Sequence, residues 1–419
     1  MQSKKPVVFW CEHSFQIYAA LPIARKYYRR GYPIVLFTSP RYVQAARDYF
    51  DFGEVEVRSI AKYRSRVGNY VTNKFREYFT PIDFSPLYYV RLGYRKKTMN
   101  RVTKMTNRLL SKHKVHPNHT YNRIVERLYR LRILEPIDLD PYLFFTFTKV
   151  HHAYVAVPFN DRHVCVMESW DHPSKEPYLL SPRRALTWNT ELAEETREFQ
   201  NYDMVHTIAP LKFRYIEEFA TQSEEELLRQ LTDPLLLQDL ERMRNQKYLI
   251  YPMCTSSDYW GFGGELKFVE ELCQVLKNSD YRLYIRPYPL APASDREQLE
   301  ALDDKVIVGS SSYGTDGTEV MNTSLQIHKY LITKWADLVI NTGTTYVFDA
   351  ALCDVPIVQI YFDKNSTTDF HRTINEQIHL QKYLINEFAI KYDPNTLLRA
   401  VEVADPSFTA RIKSWLLSQ

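Results

Sequence analysis

The chain has 419 residues, 54 basic side chains against 50 acidic ones, and an apolar fraction of 45%. That length predicts two or three domains, and the composition excludes disordered and collagen-like classes. A net charge of +4 is too small over this length for a dedicated nucleic-acid binder. No apolar run reaches the ~18 residues that a membrane span needs.

The first unit reads as strand, helix, parallel strand. Val7 to Cys11 is a short buried strand, and Glu12-His13-Ser14 is a polar turn. Apolar residues then recur at helical spacing through Ile17, Ala20, Leu21, Ala24, Tyr27 and Tyr28. Gly31 stops the helix, and Pro33 to Phe37 is the second strand. Such a unit opens a doubly wound sheet, and the residues between a strand's carboxyl end and the next helix line its ligand crevice. Glu12 and His13 stand in that place. The run Val7 to Trp10 is too short for a secretory leader and lacks its cleavage pattern.

From Arg91 to Arg132, thirteen Lys/Arg residues face one acid, Glu126, with apolar residues interleaved. This basic helical segment, about 88–135, is either a solvated face or a contact with an anionic membrane surface or acceptor. His113, His116 and His119 fall here, but Pro117 breaks the helix that would align them, so no metal site is expected. Strands are expected over Tyr142 to Thr148, Ala153 to Val157 and Val164 to Glu168. A strand–helix–strand from Ala185 to Ile216 ends the first domain, 1–215. Residues 217–242 hold eight acids against two bases in a Leu-rich pattern, which predicts a connecting helical segment, 216–245.

The second α/β unit, 246–400, begins with a strand at Tyr248 to Pro252 and an amphipathic helix over Glu265 to Lys277. Strands follow at 282–286, 306–308, 338–340 and 356–360, with helices at 325–335 and 346–352. The last stretch, 401–419, predicts a helix that packs back across the first domain. The five cysteines (Cys11, Cys165, Cys254, Cys273, Cys353) form no CxxC, which predicts reduced thiols in a cytoplasmic protein.

Glycine is scarce, 11 residues in all, yet Gly261, Gly263 and Gly264 cluster between a strand end and a helix start. With Ser256 and Ser257 they make a loop suited to phosphate, because free N–H groups at a helix start bind anions. Asn341, Thr342, Gly343, Thr344 and Thr345 repeat the arrangement after another strand, with Asp349 one turn inside the helix. Arg286, in "RPYP" with Tyr288, ends a third strand and offers a fixed donor fork. Each loop alone is also compatible with an ordinary capped turn. Neither is a P-loop, and no GxGxxG points to a dinucleotide.

With these residues the chain resembles the GT-B glycosyltransferases, which place a nucleotide-sugar in the cleft between two Rossmann-like domains. The segments "HSFQIYAALPIARKYYRRGYPIVLFTSP", "ESWDHPSK" with "ALTWNTE", "YLIYPMCTSS…LYIRPYP" and "ADLVINTGTTYVFDAALCDVPIVQIYF" carry the resemblance. The third is similar to a bacterial branch with CDP-glycerol-transferase-like and surface-polysaccharide enzymes. The resemblance implies an α/β fold with two doubly wound parallel-sheet domains facing a central cleft. It implies that Ser256, Ser257, Gly263, Gly264, Arg286 and 342–345 hold the donor diphosphate, and that Asp349 takes the ribose. The loop "GSSSYG" would lie near the base. Tyr288 stands where the family more often has His, and Asp349 where it has Glu.

Inverting transfer needs a base for the acceptor's proton. His13, with Glu12 beside it, and Asp171 in "WDHP" are the candidates. His13 is otherwise a helix-start residue, and Asp171 a turn residue before a proline. No DxD motif implies a metal, and no cofactor is expected beyond the nucleotide-sugar substrate. The expected activity is transfer of a sugar to a glycan or lipid-linked acceptor in surface polysaccharide synthesis, at the inner face of the membrane. The alternatives are a UDP-sugar 2-epimerase, a polyol-phosphate transferase, or a non-enzymatic membrane-surface binder.

Overall fold

Valine and aromatic residues fill Val7–Cys11, and the run forms β1, all five of whose side chains are buried. The computed structural model describes residues 4–79, 118–147, 152–170, 173, 184–200, 202, 204–257, 261–288, 291–309, 322–362, 370–371, 374, 378–385, 389–392 and 405–418. Two compact units divide the chain, Met1–Lys212 and Phe213–Leu417.

In the first unit β1 is followed by α1 (Ser14–Tyr28), β2 (Ile34–Thr38), α2 (Val43–Tyr49), β3 (Val55–Ser59) and α3 (Arg66–Phe79). Then come α4 (Asn118–Arg130), β4 (Leu143–Phe147), β5 (His163–Val166), β6 (Arg184–Thr187), α5 (Thr190–Gln200) and β7 (Met204–Thr207). The sheet order is β3-β2-β1-β4-β5-β6-β7, with every pair parallel. A parallel sheet is covered on both faces, so its central strands read as continuous apolar runs. Side chains alternate between those faces. Val8 and Trp10 share one cluster with Val35, Phe37, Phe144 and, from α4, Tyr121 and Val125. The register sets Phe9 beside Phe145, and their rings stack at 4.9 Å.

Residues 153–157, expected as a strand, instead begin a run of 3-10 turns over Ala153–Arg162, kinked at Phe159. All five are buried together, so the segment packs as an apolar plug rather than in a ladder. Pro158, which cannot donate a ladder bond, follows at once. Of the basic segment only 118–135 lies within the described residues. Arg95, Lys96, Lys97, Asp171, His172 and most of "GSSSYG" lie outside them.

In the second unit the acid-rich stretch folds as three short helices, α6 (Arg214–Ala220), α7 (Glu224–Gln230) and α8 (Pro234–Met243). Ser223 and Asp233 cap the last two. The sheet follows as β8 (Tyr248–Pro252), α9 (Phe262–Leu276), β9 (Arg282–Arg286), α10 (Ala293–Glu300), β10 (Val306–Val308) and α11 (Thr323–Trp335). It continues with β11 (Leu338–Asn341), α12 (Tyr346–Leu352), β12 (Ile357–Tyr361), α13 (Ile378–Tyr383), β13 (Ile390–Lys391) and α14 (Pro406–Leu417). Its order is β10-β9-β8-β11-β12-β13, again parallel. Within this unit α14 lies on α12, with Trp415 stacked on Phe348 at 5.6 Å.

Strand order reverses between β1 and β4 in the first sheet and between β8 and β11 in the second. Ligands of open parallel sheets bind at the carboxyl ends of the strands flanking such a reversal. Among the described residues no helix is long and apolar enough to cross a membrane. All five cysteines are free, with Cys254 and Cys353 only half-buried.

Candidate functional site

The two loops suited to phosphate flank the reversal of the second sheet, one after β8 and one after β11. Gly261 caps α9 at φ +85°, a left-handed conformation that a Cβ would strain. One turn later Glu265 is fully buried and points back into the β8 loop. Its carboxylate accepts from the Cys254 amide at 2.7 Å, the Thr255 amide at 3.0 Å and the Tyr251 hydroxyl at 2.8 Å. Two loop N–H groups that would otherwise be orphaned are thereby satisfied. Burial pushes the Glu265 carboxyl up to about 7, against the downward pull of those donors. The same burial and the Glu265 charge push the Cys254 thiol well above its usual range.

Ser256 is fully buried, and its hydroxyl oxygen has no hydrogen-bond partner among the described residues. Buried hydroxyls are normally paired, so this one is a donor held in reserve. The Ser257 amide donates to Asp295 at 2.9 Å. Gly263, in the first turn of α9, has nothing among the described residues within 4 Å of where a Cβ would stand. That helix start therefore has open space beside its backbone, as an anion requires.

The β11 loop is built from its own side chains. Asn341, fully buried, accepts from the Thr344 amide at 3.1 Å and its hydroxyl at 2.8 Å, and donates to Gln359 at 2.6 Å. At Gly343 a Cβ would come within 2.8 Å of the Leu380 Cδ1, so a side chain there would make that leucine shift. The Thr342 hydroxyl lies 3.1 Å from the Cys254 sulfur and 3.4 Å from the Tyr251 hydroxyl, so the two loops touch. Thr345 stands at the start of α12.

Arg286 ends β9 with its guanidinium 5.0 Å from the centre of the Tyr346 ring. Lys329 of α11 approaches the same ring at 5.3 Å. Tyr288 is half-buried two residues beyond β9. Asp349, expected to face a ribose, is buried, and its carboxylate accepts from the Tyr215 hydroxyl and the Lys329 ammonium. Burial and the Asp349 charge drive the Tyr215 phenol well above its ordinary range. A diol at Asp349 has to compete with these two donors.

In the first unit Glu12 is buried, and one carboxylate oxygen collects three donors. They are the Trp10 indole N–H at 2.9 Å, the His152 amide at 3.0 Å and the His152 ring Nδ1 at 2.8 Å. Gln16 accepts from the amides of Glu12 at 2.6 Å and His13 at 3.2 Å, and donates to Glu168 at 3.3 Å. His13 is half-buried at the start of α1, its ring stacked on Phe15 at 5.3 Å.

The structure thus brings Cys254, Thr342 and, through Glu265, the start of α9 together, sets Arg286 against α12, and places Glu12 and His13 at the reversal of the other sheet. Sequence reasoning missed Glu265, Lys329, Tyr215 and His152. A strand end followed by "VHHAY" signals His152. Lys329 and Tyr215 carry no local signal, because their partner lies 20 and 134 positions away. Among the described residues no group of three or more His, Cys, Asp or Glu side chains is arranged to hold a metal ion.

No protein-family model and no curated protein sequence matches the chain. Among solved structures, S. aureus MnaA in a co-structure with UDP is similar over 99% of this chain and 93% of its own, with 7% identity and a TM-score of 0.53. The Methanocaldococcus jannaschii UDP-GlcNAc 2-epimerase, in complex with UDP-GlcNAc and UDP, is similar over 97% and 98%, with 10% identity and a TM-score of 0.48. The calicheamicin glycosyltransferase CalG4 is similar over 99% and 94%, with 12% identity and a TM-score of 0.47. At such identities a likeness speaks for fold alone. The chain is an α/β protein of two parallel-sheet Rossmann-like domains, of the GT-B type.

Proposed function

We propose that the chain is a nucleotide-sugar-dependent glycosyltransferase of bacterial surface polysaccharide synthesis, acting on a glycan or lipid-linked acceptor. The observation that carries this reading is the meeting of the β8 and β11 loops at the reversal of the second sheet. There Cys254 meets Thr342, Glu265 ties the Cys254 and Thr255 amides to the first turn of α9, and the Ser256 hydroxyl next in the loop has no partner among the described residues. A departing nucleoside diphosphate needs positive potential in place before it leaves, and helix N-termini with Arg286 supply it. The UDP held by MnaA supports uridine nucleotides as the first to try. The CDP-glycerol-transferase-like resemblance supports cytidine nucleotides as the next. For the acceptor's proton the candidates are Glu12 and His13, in the loop after β1.

Thermal stabilisation by UDP, GDP, CDP, CMP and TDP, each with its sugars, tests the reading. A ligand at 100 times its Kd stabilises by about 2.7 kcal/mol. One nucleotide class is expected to raise the Tm by several degrees, and its sugar to be consumed only when an acceptor is present. Turnover without acceptor would favour the epimerase reading. No shift with any nucleotide, paired with liposome binding, would favour a membrane-surface binder.

A further inference from the structure

Glu265 joins three parts of the second unit. Its side chain leaves the first turn of α9 and reaches β8 at Tyr251 and the β8 loop at Cys254 and Thr255. Beyond them the Thr342 hydroxyl of the β11 loop meets both Tyr251 and Cys254. Glu265 is fully buried, and among the described residues no Lys, Arg or His pairs with it. The titratable groups that face it are the Tyr251 phenol and the Cys254 thiol. Burial, and then the Glu265 charge, push both well above their usual ranges, so both stay protonated. On the same helix Lys267 and Glu271 act on His371, and Asp295 of α10 holds the Ser257 amide at 2.9 Å.

Two of the three donors share Oε1, while Oε2 takes the Thr255 amide alone. Oε2 therefore has room for a proton without loss of any of the three bonds. A buried carboxylate with no cation beside it is stabilised by taking that proton, and burial already raises Glu265 to about 7. A diphosphate settled on the first turn of α9 brings more negative charge to the same turn. Like charges out of water repel strongly, and protonation of the acid is what relieves them.

We infer that Glu265 makes donor binding proton-linked: the chain takes up a proton on this side chain as a nucleotide-sugar binds. This rests on the reading above that seats the donor diphosphate on the β8 and β11 loops. The acid that ties the loop to α9 is thus also the group that sets the pH dependence of the site. With the proton on Glu265, the N–H groups of the first turn face the diphosphate with no opposing charge. Above neutral pH the donor has to draw that proton from solvent, and its affinity falls in proportion to the protons taken up.

The experiment is calorimetry on the full chain with UDP-GlcNAc, or with the nucleotide-sugar of the panel that stabilises it. A nucleotide-sugar is used because it lacks the terminal phosphate of a free diphosphate, which itself titrates at about 6. In buffers of different ionisation heat at pH 7.5, the wild type is expected to take up about half a proton per donor bound. Its Kd is expected to weaken roughly five- to tenfold between pH 6 and 8.5. Glu265→Gln keeps an acceptor toward Tyr251 and Cys254. It is expected to bind with no proton uptake and a Kd that changes about twofold at most over that range. Should that variant fold poorly, infrared difference spectra of the wild type at pH 8 replace it, and donor binding is expected to bring up a protonated-carboxyl band. A wild type that binds the donor with no uptake and a level Kd overturns the inference and leaves the functional reading standing. Uptake that survives in Glu265→Gln does the same. If no nucleotide-sugar of the panel binds, the functional reading falls, and the inference with it.

Discussion

Gly263 and Glu265 stand two residues apart and face opposite ways. Glu265 is buried and holds β8 and its loop by three hydrogen bonds, while a Cβ at Gly263 would meet nothing within 4 Å among the described residues. Gly263→Ala therefore tests ligand space separately from folding. Alanine is the better helix former by roughly 0.5–1 kcal/mol, so the Tm is expected to stay level or rise. Nucleotide affinity is expected to fall about tenfold, because the methyl group occupies the approach to the first-turn N–H groups. Unchanged affinity in calorimetry would move the diphosphate away from α9. The motif was legible as residues because clustered glycine in a glycine-poor chain is conspicuous. Which glycine turns, which packs and which stays open was not legible, since that depends on neighbours such as Leu380 at Gly343.

Helix α12 meets α6 and α11 through Asp349, which gathers the Tyr215 hydroxyl and the Lys329 ammonium. The Asp349 side chain is 4% exposed and that of Lys329 21%, so the pair is largely out of water. Removing one member of such a pair strands the other charge, at a cost of about 3–5 kcal/mol. Lys329→Met is expected to destabilise the second unit by about 3 kcal/mol in urea unfolding, and Asp349→Leu added to it to recover most of that. If the double variant is no more stable than the single one, the network is not what joins these helices. The sequence signals placed Asp349 correctly one turn inside a helix. They left it open for a ribose because a contact with Tyr215 spans 134 positions and leaves no periodic trace.

At the scale of the molecule, two buried groups titrate with opposite consequences. His163 in the first unit is fully buried, with Nε2 on the Thr146 hydroxyl at 2.6 Å, and burial pushes its pKa down to about 3. The unfolded chain binds that proton first, so the stabilisation is present above about 6.5 and is lost as pH falls below it. Glu265 in the second unit is raised to about 7, so the folded unit binds its proton first. Its contribution is full below about 4.5 and is lost as pH rises through 7. Between pH 7 and 5 each group is worth about 2 kcal/mol, with opposite signs. Calorimetry is expected to show one transition falling and the other rising on acidification, each by roughly 4–8 °C. Glu265→Gln is expected to remove the rise, and a rise that persists in that variant would exclude Glu265 as its source.

The alternation of apolar strands, amphipathic helices and polar turns determined by itself that this chain builds two doubly wound sheets. The reason is local: strand and helix periods, caps and glycine placement act over a few residues. Those same cues located both loops of the second unit and the Glu12–His13 turn. They misread 153–157, whose continuous apolar run fits a strand and a buried 3-10 plug equally well. Only the tertiary structure decided which side chains converge. Glu12 meets His152 across 140 positions, and Thr342 meets Cys254 across 88. Strand order in a parallel sheet is set by packing helices on both faces, which brings together loops that no spacing in the chain announces.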